Sequence, residues 1–250
     1  MSHFYLPGPW PDAGSSLSDE VVIDSKVAHH LRVRRIAVGE TFKVFDGQGL
    51  TANATLIALD KKQAVVRLGD IQHFVRTETK SPILLAQGIA GGDKMDWLIE
   101  KCVELGVAQI QPLQSERSVV RLDGERSLKK REHWQNIAIA ACEQSGRTVI
   151  PEVSTTLNLP VWLASIDPKA EMLKLMLSPR AEIGLMSVAK RSTPQKTLLL
   201  IGPEGGLSET EEEQATRAGF IPVSMGQRVL RTETAGIVAL SVLHTVWNQL

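Results

Sequence analysis

The chain has 250 residues, with 28 basic and 28 acidic side chains and a formal net charge of zero. Global charge therefore supplies no attraction for nucleic acid, and any RNA contact must use local basic patches. Two cysteines, Cys102 and Cys142, argue against a disulfide framework, and no apolar run reaches membrane-span or signal-peptide length, so a cytoplasmic protein is expected.

Residues 1–72 read as closely spaced short strands. β-type runs occur at 21–23, 41–45, 50–59 and 64–68, with turn signals at Asp46-Gly-Gln-Gly49 and Asp60-Lys-Lys62. This pattern predicts a small β-barrel domain. One helix is expected from Ser25 to Arg34, with Ser25 as its cap and Gly39 closing the segment. A second domain is expected over 73–250, entered through a linker at 73–81.

From residue 82 the rhythm becomes strand and helix in alternation. Strands are expected at 83–87, 107–113, 173–177, 196–201 and 221–224. Helices are expected at 94–105 and 128–144, from Ser208 to near Gly219, and over 235–250. In the first of these helices Met95, Leu98, Ile99, Cys102 and Val103 recur at helical spacing, and Gly106 ends it. Ser208 and Glu211 have the spacing of a capping box. The alternation predicts an α/β domain with a mainly parallel sheet and helices on both faces. Trp97, Trp134 and Trp162 read as packing residues rather than base-stacking ones. The last helix is apolar almost all round, through Ile237, Val238, Leu240, Val242, Leu243, Val246, Trp247 and Leu250. Such a helix needs cover on two sides, and a second copy of the chain is the expected cover for one of them.

Two loops carry the chemistry. Leu199-Leu-Ile-Gly-Pro-Glu-Gly-Gly-Leu-Ser208 and Met225-Gly-Gln-Arg-Val-Leu-Arg-Thr-Glu-Thr-Ala235 each leave a short strand and enter a helix. Their glycines allow close backbone approach to a ligand, so the pair predicts one small-molecule pocket lined by main-chain groups. No Gly-Lys-Ser/Thr and no Gly-x-Gly-x-x-Gly follows, which removes support for phosphate-bearing cofactors. Thr232 or Thr234 is the expected cap of the last helix. His29 and His30 have no Cys or acidic partner at ligand spacing, and no metal is expected.

Ile201-Gly-Pro-Glu-Gly-Gly-Leu-Ser208 together with Leu230-Arg-Thr-Glu-Thr-Ala235 resembles the knotted SPOUT class of S-adenosylmethionine-dependent RNA methyltransferases. More narrowly, the chain resembles the bacterial 16S rRNA uridine N3-methyltransferase family. Lys94-Met-Asp-Trp-Leu-Ile-Glu-Lys-Cys-Val-Glu-Leu-Gly106, Ser115-Glu-Arg-Ser118, Ala141-Cys-Glu-Gln-Ser-Gly-Arg147, His29-His-Leu-Arg-Val-Arg-Arg35 and Phe45-Asp-Gly-Gln-Gly49 extend the match over nearly the whole chain. The resemblance implies a deep trefoil knot in the α/β domain, a PUA-like N-terminal module that holds rRNA, and a homodimer with the pocket near its interface. It implies S-adenosylmethionine as methyl donor. Carried over residue by residue, the donor site comprises Leu177, Gly202, Glu204, Gly205, Met225, Gly226, Leu230 and Ala235. Ile201, Pro203, Gly206, Val229 and Thr234 join it as members of the same loops.

The reaction so implied attacks the donor methyl with uracil N3, which carries a proton at neutral pH. Arg231 is the first candidate to stabilise charge spreading onto O2 and O4, and Arg228 the second. Glu233 either accepts the proton or orients an arginine. The expected RNA contacts are His30, Arg32, Arg34 and Arg35 in one basic cluster. Arg117 and Arg121 belong to a second cluster, with Arg126, Lys129, Lys130 and Arg131 beside them. The expected partner is 16S rRNA in the small ribosomal subunit or its precursor. Two other readings compete: the same fold acting on another RNA such as tRNA, and an RNA-binding protein without catalysis.

Overall fold

The computed structural model describes residues 3–10, 20–75 and 78–249. Arg76 and Thr77 of the expected linker, and Leu250 of the expected last helix, lie outside the described residues. The chain divides into two compact units, Met1–Glu78 with Cys142–Ile150, and Thr79–Ala141 with Pro151–Leu250. The sequence predicts a single boundary at 72/73. The division in the structure falls after Glu78 and returns a later stretch to the first unit.

The first unit contains β1 (His3–Tyr5), β2 (Glu20–Ile23), α1 (Ser25–Val33), β3 (Thr41–Phe45), β4 (Leu50–Leu59), β5 (Ala64–Leu68) and β6 (Gln72–His73). The strand order is β1-β3-β4-β5-β2, with β6 on β4. β1 and β3 run parallel, and the other pairs are antiparallel. Alternation fixes the inward face: Ala52, Ala54 and Leu56 of β4 and Ala64, Val66 and Leu68 of β5 are buried with Phe4, Leu31 and Phe42. The helix cap differs from expectation. Asp24 accepts from the amides of Lys26 and Val27, and Ser25 is the first helical residue. An aspartate with extended backbone immediately before the helix satisfies the free amides better than a serine already inside it.

Cys142–Ile150 is tied into this unit by bonds distant in sequence. Ile150 N donates to Gly47 O at 3.0 Å, and Gly49 N to Thr148 O at 3.1 Å. The buried Arg147 guanidinium forms a two-pronged pair with Glu78, at 3.0 and 2.5 Å.

The second unit contains β7 (Ile83–Gly88), α2 (Lys94–Glu104), β8 (Gln109–Gln114), α3 (Gly124–Ser145), β9 (Glu152–Val153), β10 (Leu157–Asn158), α4 (Leu159–Ala164), β11 (Leu173–Leu177), α5 (Leu185–Arg191), β12 (Thr197–Ile201), α6 (Glu209–Arg217), β13 (Ile221–Val223) and α7 (Thr232–Val246). The last turn of α3 counts with the first unit. The sheet order is β10-β8-β7-β12-β11-β13, with β9 also on β8, and every pair is parallel. β12 is buried along its whole length, as a central parallel strand with both faces covered requires. Trp134 and Trp162 are packing residues as expected, but Trp97 is 46% exposed on α2.

Two helix starts need correction. α3 begins at Gly124, ahead of the expected Leu128. α7 begins at Thr232 rather than Ala235, and neither Thr232 nor Thr234 caps it; Arg231 holds the cap position without a side-chain bond. The Thr232 hydroxyl is engaged elsewhere, as described below. Ser208 and Glu211 do form the reciprocal capping box at the head of α6.

Candidate functional site

The last residues of three adjacent strands, Leu177 of β11, Ile201 of β12 and Val223 of β13, open onto one cavity of about 620 Å³. A crevice beyond the carboxyl ends of parallel strands is where α/β sheets bind ligands. Three loops wall it: residues 178–180, 202–207 and 225–231.

The first glycine loop is folded tightly onto β7. A Cβ on Gly88 would lie 2.4 Å from Pro203 N and 2.6 Å from Gly202 C, so only glycine fits beneath the loop. Gly206 N donates to Pro203 O at 2.8 Å, closing a turn with Gly206 at φ +67°. Glu204 reaches across to the head of α2: its Oε1 accepts from Gly91 N at 2.8 Å and from Lys94 Nζ at 3.1 Å. Burial by itself would raise the Glu204 carboxyl, but the Gly91 amide and the Lys94 ammonium outweigh it and hold the group below the ordinary glutamate range.

Arg117 clamps the same loop from the other side, donating to Gly205 O at 3.3 Å and Leu207 O at 3.4 Å. Next to it, Glu116 N donates to Glu211 Oε1 at 2.8 Å. The second glycine loop is bound to the first through Thr232. Its hydroxyl donates to Gly202 O and accepts from the Gln87 amide at 2.8 Å, all within the buried interior. The main-chain groups of residues 225–230 enter none of the hydrogen bonds among the described residues. They remain available to a ligand.

The loop 178–180 forms a third wall that the sequence reading did not include. Ser178 Oγ donates to both carboxylate oxygens of Glu212 at 3.1 Å, and Arg180 pairs with Glu212 at 3.0 Å. Only Leu177, at its entrance, had been expected in the site.

Of the residues expected to hold the donor, Leu177, Ile201, Gly202, Pro203, Glu204, Gly205, Gly206, Met225, Gly226, Val229, Leu230 and Ala235 line the cavity, and Thr234 does not. Arg228 and Arg231 line it as exposed residues. Glu233 does not line it; the side chain is buried, and its Oε2 has no hydrogen-bond partner among the described residues. The early start of α7 explains both departures. At about 100° per residue, Thr232 and Ala235 share one side of the first turn, and Glu233 and Thr234 face away from it. Lys94, Arg180, Glu212 and Gln227 are lining residues that sequence reasoning missed.

The two basic clusters fare differently. Arg117, expected on RNA, belongs to the cavity wall, and Arg121 donates to Glu116 O at 2.9 Å. In the first unit His30 lies 3.5 Å from Glu143 and edge-on to Phe4, and Arg32 donates to Lys61 O. Arg34 and Arg35 are exposed, with Arg35 in the left-handed region at φ 57°.

Comparison with known proteins gives this geometry its family. Residues 77–244 match the RNA methyltransferase domain and residues 23–69 the RNA methyltransferase PUA domain. A ribosomal RNA small subunit methyltransferase E from Bacillus subtilis is 34% identical over 226 residues, covering 89% of this chain and 88% of the relative. The chain belongs to the ribosomal RNA small subunit methyltransferase E family.

Two solved structures support the membership. The ribosomal RNA small subunit methyltransferase E of Neisseria gonorrhoeae, bound to S-adenosyl methionine, aligns with a TM-score of 0.87 at 36% identity, over 99% of this chain and 98% of that one. A Legionella pneumophila methyltransferase in complex with the same cofactor aligns with a TM-score of 0.89 at 36% identity, over 98% and 97%. The expected SPOUT-class α/β domain and PUA-like N-terminal domain are therefore those of a small subunit methyltransferase E.

Proposed function

We propose that this chain transfers the methyl group of S-adenosylmethionine to N3 of a specific uridine in 16S rRNA, working as a cytoplasmic homodimer. The observation that carries the proposal is the meeting of the two glycine loops at one cavity, where the main-chain groups of residues 225–230 are uncommitted among the described residues. About 620 Å³ is within the range of small-molecule sites. Apolar Leu177, Ile201, Val223 and Leu230 offer faces for a nucleoside base, and the free amides and carbonyls offer its edges hydrogen bonds. The relatives from Neisseria gonorrhoeae and Legionella pneumophila hold S-adenosylmethionine. Bound here, it supplies an electrophilic methyl group.

The chain's own residues do the rest. Fixed loops that hold two reactants in line can supply roughly 7–11 kcal/mol in the best case. Arg231, on the cavity wall at the head of α7, meets the negative charge that develops on the uracil oxygens, a contribution of about 3 kcal/mol. Arg228 assists it. Glu233 does not reach the cavity, and proton removal is not assigned to it. Uracil N3 is hidden in paired RNA, so the target base must be unpaired or turned out. Arg34, Arg35 and Arg121 remain the exposed candidates for the RNA backbone, with His30 and Arg32 partly spent on internal partners.

The dimer reading rests on α7. Ala235, Ala239, Leu240 and Leu243 are buried, whereas Ile237, Val238, Ser241 and Val242 form a half-buried stripe at helical spacing. A twofold partner would cover that stripe. The trefoil knot belongs to the same reading, through the SPOUT-class loops.

Purified small subunits incubated with labelled S-adenosylmethionine, followed by nucleoside analysis, test the proposal. Label in 3-methyluridine of 16S rRNA is the expected result. Label in another base, or in tRNA alone, would overturn it.

A further inference from the structure

The charges around the cavity do not match a cationic donor by itself. Five cationic side chains line it, Lys94, Arg117, Arg180, Arg228 and Arg231, against two carboxylates, Glu204 and Glu212. Both carboxylates are already matched, Glu204 by Lys94 at 3.1 Å and Glu212 by Arg180 at 3.0 Å. Arg180 also reaches Glu209 at 3.4 Å. Arg117 donates from one guanidinium nitrogen to two carbonyls, and these neutral partners leave its charge in place. The guanidinium groups of Arg228 and Arg231 enter no ion pair and no hydrogen bond among the described residues, and both residues are exposed. Glu233 sits beside Arg231 in sequence but is buried in α7 and off the lining, and its single charge cannot offset all three arginines.

A sulfonium donor carries a positive charge at its reacting sulfur, and its demethylated product does not. Standing positive charge at the mouth therefore disfavours the donor relative to the product. An RNA phosphodiester arriving at the mouth would cancel that charge, and the guanidinium fork is suited to phosphate oxygens. Resting on the donor reading above, we infer that Arg228 receives an RNA phosphodiester at the cavity mouth while Arg231 is left to the target base, and that through these two charges substrate RNA and donor strengthen each other's binding. Coupling of this kind is reciprocal: whatever RNA does for donor affinity, donor does for RNA affinity. The free protein, by the same account, prefers the demethylated product.

Calorimetric titration of the full chain with S-adenosylmethionine and, separately, S-adenosylhomocysteine tests the inference without measuring turnover. At low salt the product should bind the wild-type chain roughly tenfold more tightly than the donor, as charges of one sign close together in a partly screened site imply. Raising ionic strength from about 0.01 M to about 0.15 M shortens the screening length from roughly 30 to roughly 8 Å and should narrow that ratio. In the Arg228→Gln/Arg231→Gln variant the ratio should fall to within about twofold, with the donor binding more tightly than to wild type. A short oligouridylate should tighten donor binding to the wild-type chain and leave the variant unaffected. Both positions are exposed, and an unchanged thermal melt verifies the variant's fold. Binding of both compounds with the same ratio in wild type and variant, or donor affinity indifferent to the oligonucleotide, would overturn the inference alone. Failure of the wild-type chain to bind either compound would overturn the donor reading and this inference with it.

Discussion

The Thr232 hydroxyl donates to the Gly202 carbonyl across 30 positions of sequence, and Gln87 donates to the same hydroxyl from the centre of the sheet. The two glycine loops are thus held together by one buried side chain. Thr232→Val keeps the shape and removes the hydroxyl, leaving the Gly202 carbonyl and one Gln87 hydrogen without their partner. Unfolding in urea should show a loss of about 1–3 kcal/mol, and calorimetry a parallel loss of donor affinity.

Gly88 lies beneath the first loop. The Cβ introduced by Gly88→Ala would come within 2.4 Å of the Pro203 nitrogen, a backbone atom that can only yield by moving the loop. Overpacking of this kind costs about 1–3 kcal/mol. The variant should fold, melt at lower temperature, and bind S-adenosylmethionine at least about tenfold more weakly, because a small displacement of positioning groups is amplified in their ligand.

Arg231→Ala should lower kcat about 100-fold, the usual effect of losing one electrostatic donor to a developing charge. Donor affinity should hold or improve, since the substitution removes a like charge. Single-turnover rates measured beside equilibrium titrations separate the two effects. Loss of donor binding with unchanged single-turnover rate would place Arg231 among donor-holding groups instead.

Glu204 gives the cavity a pH signature. Its carboxyl lies below the 4.5 of an unperturbed glutamate in the folded chain. Its contribution to stability is therefore complete above about pH 4.5 and is lost as pH falls through the lower folded value. Glu204→Gln should remove this part of the acid-side slope when urea unfolding is compared between pH 6 and pH 3. The group is largely solvated, so screening keeps the difference within about 1 kcal/mol.

The half-buried stripe on α7 predicts an assembly. Val238→Glu and Val242→Glu would each place a charge in the covered seam, and light scattering should report a shift from dimer toward monomer mass. A wild-type chain that is monomeric at micromolar concentration would dismiss the assembly.

Much of the second unit was legible because burial writes simple patterns. β12 is an unbroken apolar run, α2 shows apolar residues at helical spacing, and Ser208 and Glu211 announce their helix. The glycine loops were legible because their residue types permit few other uses. β9, β10, α4 and α5 escaped because each is too short to establish a period. The start of α7 was misplaced because Thr232 looks like a cap, whereas its hydroxyl is spent on a partner that no local pattern reveals. The Ser178–Arg180 wall was invisible for the same reason: its carboxylate, Glu212, lies 34 positions away from Ser178. Glu233 and Thr234 were placed in the site because their neighbours belong there, and helical geometry turns them aside.

The Glu78–Arg147 pair also bears on dissection of this protein. The first unit is assembled from two separate stretches of chain, so no single cut can release it whole. An amino-terminal deletion ending at residue 78 would discard one member of the pair and take the Glu78 carboxylate away from the buried Arg147. Anyone wishing to transplant the first unit onto another enzyme would have to graft Cys142–Ile150 along with it, and a shorter excerpt should express as an insoluble fragment.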